Sequence, residues 1–485
     1  MDLGNAKISK IFSLFLIFLF ISSIFIGIDF ISNNAKGDNI TIPSGILYYV
    51  PINITNSQNI STPNPYQQMI QFNISQYSSY LIYNYSFVNF EFFYANGTII
   101  PAWIESLNNT TNVITIWLNL TGINAKSSII IYLGIASQST NLLSNSGASG
   151  IGEAPQLSPT YAQYDNGVSV FNNYWNFAGT TMPSNWDTTE VANLTVNNGV
   201  SFTGIGTGGK AAQIVYTTAI SRPLIIEYYG YSFGTQPTDV VAYVDKYGSA
   251  FSNGYIGGAG FNADIEVLSF SNGNVTFQAG YTPGSYPPVS SYHIWALSIA
   301  PLGGTISALI DYGTTLVPVS WTDTLNYNNY YPALSCWWNN KGLYVQWARV
   351  RAYPPNGVMP SVSFGSFNYY FNITFNFYLY YNGSYTPVGF QGNISTNASQ
   401  FANITFPYIS TQLSTLNFNI ISAINTFYFN FNASGSSLDE NMQIYYNGSW
   451  YYAQAYSIVG GNNISIISQT TSYYQIGNVL VPEFN

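Results

Sequence analysis

The chain has 485 residues, of which 47% are hydrophobic and only 6% charged, with a formal net charge of -9. That length exceeds one ordinary β-sandwich, and so apolar a composition buries real cores, which excludes a disordered chain. The ten Lys and Arg residues are scattered and form no basic patch, which excludes nucleic acid as a partner.

Lys7 and Lys10 precede an uncharged, mostly apolar run over residues 11–28, which Asp29 ends. Small and polar residues follow, the layout of an export signal. The run is also close to the ~20 residues that span a bilayer. Residues 1–36 are therefore expected as a cleaved signal peptide or as a retained membrane anchor helix, with Lys7 and Lys10 inside. Either way the remainder is expected outside the cell.

Residues 40–137 read as an N-terminal β-sandwich module, with strands expected at 47–54, 68–74, 88–94, 98–104, 113–118 and 127–133. In Val88-Asn89-Phe90-Glu91-Phe92 apolar and polar residues alternate, the period of a half-buried strand. Asn96-Gly97 marks a tight hairpin. Residues 138–160, rich in Ser, Gly, Asn and Pro, read as a linker between modules that fold independently. Residues 161–367 hold strands expected at 224–231, 240–244, 265–270, 275–279, 293–299, 306–311 and 343–352. Short strands between Gly, Asn and Pro turns suit a two-sheet jelly roll. Residues 368–485 alternate again and read as a C-terminal β-sandwich module. The fold class is all-β: tandem β-sandwich or jelly-roll modules behind an N-terminal signal or anchor helix.

Asn-x-Ser/Thr triplets cluster in the first and third regions. The expected glycosylation positions are Asn53, Asn73, Asn84, Asn96 and Asn119, then Asn372, Asn382, Asn403 and Asn447. Between the clusters only Asn193 and Asn274 carry the triplet. The single cysteine, Cys336, rules out an intrachain disulfide and reads as a buried small hydrophobe. Chain polarity rests on Asn, Ser, Thr, Gln and Tyr, which do not titrate in acid. This suits an acidic exterior, although an AT-rich genome favours several of the same residues.

Several stretches together resemble a family of secreted, cell-surface archaeal proteins. They include Val50-Pro51-Ile52-Asn53-Ile54-Thr55-Asn56, Ile100-Pro101-Ala102-Trp103-Ile104-Glu105-Ser106 and Gly152-Glu153-Ala154-Pro155. Tyr164-Asp165-Asn166-Gly167 and Val345-Gln346-Trp347-Ala348-Arg349-Val350-Arg351 continue the likeness. The resemblance implies an uncharacterised N-terminal β-module followed by a concanavalin A-like lectin/glucanase, or laminin-G-like, module. The chain departs from that pattern at Gln346, where relatives often carry an acid, and at Asn176-Phe177, where they often have Asp-Phe.

Catalytic patterns are thin. Gly230-Tyr231-Ser232-Phe233-Gly234, with Asp264 and His293 after it, has hydrolase order, but the nucleophile elbow needs a strand feeding a helix. Asp264-Ile265-Glu266 places two carboxylates on one strand face, without the third that a glucanase motif requires. A solvated strand face is the better reading of the pair. No Cys/His cluster or Asp-rich calcium loop occurs, so no metal and no cofactor is expected.

Sugar binding is the better candidate, because aromatic rings stack on sugar faces while amides and guanidiniums hold hydroxyls. The candidate ligand residues are Trp337, Trp338, Asn339 and Asn340, with Arg349 and Arg351, which share a strand face with Trp347. The alternative is that Trp295 and Trp347 are core and that the arginines pair with a neighbouring strand. The expected function is a non-catalytic, glycosylated carbohydrate-binding adhesin. Its partners would be carbohydrate or other surface glycoproteins, and the membrane through residues 11–28 if they are retained. A structural envelope or filament component, which needs strand-edge interfaces, and a secreted glycoside hydrolase, which needs paired carboxylates, are the competing readings.

Overall fold

The computed structural model describes residues 40–367 except 85–86, 144–149, 205–210, 234–239, 250–251, 259–264, 282–290, 316 and 338–341, and beyond 367 the backbone of further strands. The apolar run at 11–28 lies outside the described residues. Among the described residues no helix is long and apolar enough to cross a membrane.

Nearly every described element is a strand. In the first module, Ile46–Asn56, Ser127–Ala136, Phe90–Tyr94 and Ile99–Ile100 form one sheet. Tyr66–Asn73, Val113–Leu120 and Ala102–Asn108 form the sheet that faces it. Period-two alternation turns Ile52, Ile54, Phe90 and Leu133 inward against Ile70, Ile104 and Ile116. The Asn96-Gly97 hairpin is present: Gly97 has a φ of 82°, a conformation that favours glycine, and its N–H donates to the Tyr94 carbonyl at 2.8 Å.

The second module is a two-sheet sandwich. Its eight-stranded sheet, here the junction sheet, runs Ala192–Val196, Val200–Thr203, Gly342–Ala352, Leu224–Phe233, His293–Ile299, Thr305–Ile310 and Val319–Thr322, with Asn173–Trp175 also beside Gly342–Ala352. The distal sheet runs Trp186–Asp187, Ala211–Tyr216, Tyr331–Trp337, Val240–Val244, Gly254–Gly258, Ile265–Ser271 and Asn274–Tyr281. Tyr228, Trp295, Leu297 and Val345 meet Tyr243, Tyr255, Leu334 and Cys336 between the two.

The expected linker behaves otherwise. Its last part, Ile151–Glu153, is a parallel strand beside Ala102–Asn108, so it completes a sheet of the first module. Asn166 then ties the chain down, donating to the carbonyls of Ala102 and Gly150 at 3.0 Å each. The far boundary shifts too. Ser361–Phe364 returns to pair with Ile46–Asn56 in the first module, with Ile52 opposite Phe364. The second module is therefore an insertion between strands of the first, and the two are not independent units. A Gly- and Pro-rich composition marks flexibility only where the backbone finds no partner, and here it finds one.

Beyond 367, Asn368–Phe371 and Ile394–Thr396 extend the first module's sheet, and the other strands fall into a four-stranded and a six-stranded sheet.

Candidate functional site

Arg349 and Arg351 do share a strand face with Trp347, but that face is covered by the first module. Arg349 is 0% exposed. Its Nε donates to Glu227 at 2.6 Å, and one terminal nitrogen donates to Glu105 of the first module at 2.8 Å. Arg351 donates to the other oxygen of Glu227 at 2.9 Å. Trp117 and Tyr312 donate to Glu105 as well. The rings of Trp117, Phe171 and Trp347 lie 4.5–4.7 Å from the Arg349 guanidinium carbon. Two cations and two carboxylates thus neutralise one another inside an aromatic cage. This corrects the expectation that these arginines contact a ligand: both are buried in ion pairs, Arg351 with Glu227 of its own module and Arg349 with Glu227 and, across the junction, with Glu105. Trp295 and Trp347 are likewise core residues.

Buried carboxyls, at the junction and away from it, set the pH response. Burial would raise Glu227, but Arg349 and Arg351 hold its carboxyl below the usual range. Burial pushes Glu91 and Glu153 up to about 7 and raises Asp165 as well. A carboxyl raised in the fold contributes stability below its unfolded pKa and loses it as pH rises through the folded value. One lowered in the fold loses its contribution as pH falls through the folded value. The window between about 4.5 and 7 is thus governed by Glu91 and Glu153. The melting temperature is expected to fall from pH 4.5 to pH 8, and Glu153→Gln should flatten that slope. A melting temperature that rises over the same window would contradict the assignment.

The face of the distal sheet that points away from the junction has a sharper division. Strand register sets Gln213, Ser335, Val240, Gly258, Glu266 and Gly280 in one row across neighbouring strands. The adjacent row is Val215, Ala333, Ala242, Ile256, Leu268 and Phe277. The next holds Tyr331, Val244, Gly254, Phe270 and Val275. The face is therefore apolar at one end and polar at the other.

Gln213 is 0% exposed, and neither its amide nitrogen nor its amide oxygen has a hydrogen-bond partner. Leaving a buried amide unpaired costs about 1–3 kcal/mol. Glu266, 2% exposed, has glycine as its neighbour on both adjoining strands. Trp337 pairs with Ala211, two residues beyond the Gln213–Ser335 pair. Trp338, Asn339 and Asn340 lie outside the described residues.

The arrangement does not assemble hydrolytic machinery among the described residues. The other carboxylate in register on this face, Asp187, pairs with Val215 at the opposite edge. Five strand spacings separate it from Glu266, roughly 24 Å at ~4.8 Å each, whereas glycosidase carboxylates stand about 5–10 Å apart. Asp264 lies outside the described residues. Ser232 sits within an antiparallel strand, not at a strand-to-helix elbow, and its hydroxyl bonds nothing. His293 instead bonds Asp311 at 2.7 Å. No cluster of three or more His, Cys, Asp or Glu suited to a metal occurs among the described residues.

Of the sequon asparagines, Asn84 and Asn96 are exposed, while Asn53 and Asn73 are half-buried. Asn119 donates to the Ser169 carbonyl at 2.8 Å, so its amide is engaged in the fold. Asn372, Asn382 and Asn447 lie outside the described residues, and Asn403 is described only as strand backbone. An open tyrosine group flanks the junction: Tyr229 stacks on Tyr292 at 5.1 Å, and Tyr231 meets Tyr292 edge-on at 4.9 Å.

No family model matches the sequence. The chain is 30% identical over 349 residues to uncharacterized protein 562 of Sulfolobus islandicus rod-shaped virus 1, covering 64% of this chain and 58% of that protein. It thus spans little more than half the length of that relative. Among solved structures, a carbohydrate-binding module CBM66 from Bacillus subtilis aligns with 34% of this chain and 95% of its own length, at 13% identity and a TM-score of 0.26. The calcium-bound exoplasmic/lumenal domain of VIP36 aligns with 39% of this chain and 94% of its own length, at 13% identity and a TM-score of 0.29.

Proposed function

We propose that this chain is an exported, glycosylated surface protein that binds a neutral carbohydrate without cleaving it. The surface would be that of a cell or a virion, since a relative is encoded by an archaeal virus. The observation that carries the reading is the wholly unpartnered Gln213 amide beside Ser335 on the polar row of the distal sheet. An amide offers donors and an acceptor together, and a sugar hydroxyl both donates and accepts, so each completes the other. Glu266 lies along the same row. Trp338, Asn339 and Asn340, which follow Trp337 in sequence, would supply a stacking ring and more amides.

Binding by amides and stacked rings involves no ion pair, so affinity is expected to stay constant between low and high salt. Trp338→Ala should weaken binding by roughly 1–3 kcal/mol, the loss typical of a stacked aromatic, with the melting temperature unchanged. The measurement is titration of the full-length protein against a panel of neutral and acidic glycans. A steep salt dependence, or preference for acidic glycans, would point to a charged site elsewhere.

A further inference from the structure

The outermost strand of the distal sheet, Asn274–Tyr281, is paired on one side only among the described residues. Asn274, Val275, Thr276 and Phe277 are all exposed. Val275 and Phe277, 50% and 46% exposed, carry the two apolar rows of the face out to its rim.

Natural sheets protect such edges with charge, proline, brevity or bulges. The module's other outer strands follow that rule. Trp186–Asp187 has two residues. Val319–Thr322 has four and follows Pro318. Ala192–Val196 has an irregular register, with Asn193 at a φ of 47°. Asn274–Tyr281 has eight residues with no charge and no proline. Its one register shift falls opposite Val267 and Leu268, past Phe277, so residues 274–277 stay regular.

We propose that this edge pairs with the same edge of a second copy, joining two distal sheets into one across a twofold axis. An isologous contact between identical strands is antiparallel. Centring it on Thr276 sets Val275 of each copy against Phe277 of the other, within the regular stretch. Residues opposite one another then share a face, so both apolar rows continue across the axis. The strand is self-complementary because it is uncharged. In a chain of net charge -9 it is a place where two copies meet without like-charge contact.

The test is sedimentation equilibrium of the full-length protein in mild detergent. The parent is expected to dimerise. Phe277→Lys should weaken association by at least about tenfold, since it sets lysines on an apolar pairing edge. Leu302→Lys, at an exposed position off this strand, should change nothing. Thr276→Cys should give a disulfide-linked dimer on mild oxidation, because the axis brings the two residues together and Cys336 is buried. A monomeric parent, a Phe277→Lys protein that associates like the parent, or a Thr276→Cys protein that dimerises without cross-linking would overturn the proposal. So would a glycan found on Asn274 of the native protein, since a sugar at that triplet would occupy the edge.

Discussion

Replacing Arg349 with methionine is expected to destabilise the protein by roughly 3–5 kcal/mol, the range for removing one partner of a buried ion pair. The cause is what remains. Glu227 keeps Arg351, but Glu105 keeps only the Trp117 and Tyr312 donors and no cation. A carboxylate without a counterion in so dry a place must protonate or draw in water, and either opens the junction. Ring contacts with Trp117, Phe171 and Trp347 are lost as well. Urea unfolding measures the effect. Adding Glu105→Gln to Arg349→Met should recover part of the loss, because it removes the stranded charge. A cost under about 1 kcal/mol, the scale of an exposed pair, would show that solvent reaches the junction.

Gln213→Leu should act in the opposite direction. The side chains are similar in volume, and the parent amide is buried with nothing to bond. Replacing it is expected to raise unfolding stability by about 1–3 kcal/mol, the penalty of an unpaired buried polar group. The same change should abolish glycan binding, because the sugar hydroxyl loses the amide that carries the proposed seat. A residue that costs stability while its loss costs binding is what a ligand seat predicts. Equal or lower stability in Gln213→Leu would show the amide to be satisfied by the fold.

Much of the architecture was legible because period-two alternation reports burial directly. His293–Ile299 and Val240–Val244 run as their sequences suggest. Other strands were hidden by composition. Gly254–Gly258 is not among the strands expected from sequence, since glycine weakens strands, yet a β-carbon on Gly257 would lie 2.8 Å from Leu297 Cδ1. Close packing between the sheets needs that glycine. Tyr331–Trp337 carries Pro332, which argues against a central strand, but pairing with Ala211–Tyr216 begins only at Ala333. The missing N–H falls where that neighbour has no partner to offer.

Site residues were less legible. Trp347, Arg349 and Arg351 were correctly placed on one face, but sequence spacing does not reveal that Glu105, more than 240 positions away, closes over them. Gln213 gave no local signal. Its significance comes from cross-strand register with Ser335 and from the absence of a partner, neither of which is a property of the nearby sequence. Glu266 was visible as a carboxylate, and its pairing with Gly258 on the strand before it was not.

The most direct measurement is parallel glycan titration of the parent protein, Gln213→Leu and Tyr292→Ala, each first shown to be folded. Binding of a neutral glycan by the parent and by Tyr292→Ala, with none by Gln213→Leu, is the expected result. Binding that survives Gln213→Leu but fails in Tyr292→Ala would move the site to the open tyrosines beside the junction. A parent protein that binds no glycan would contradict a carbohydrate site on the distal sheet.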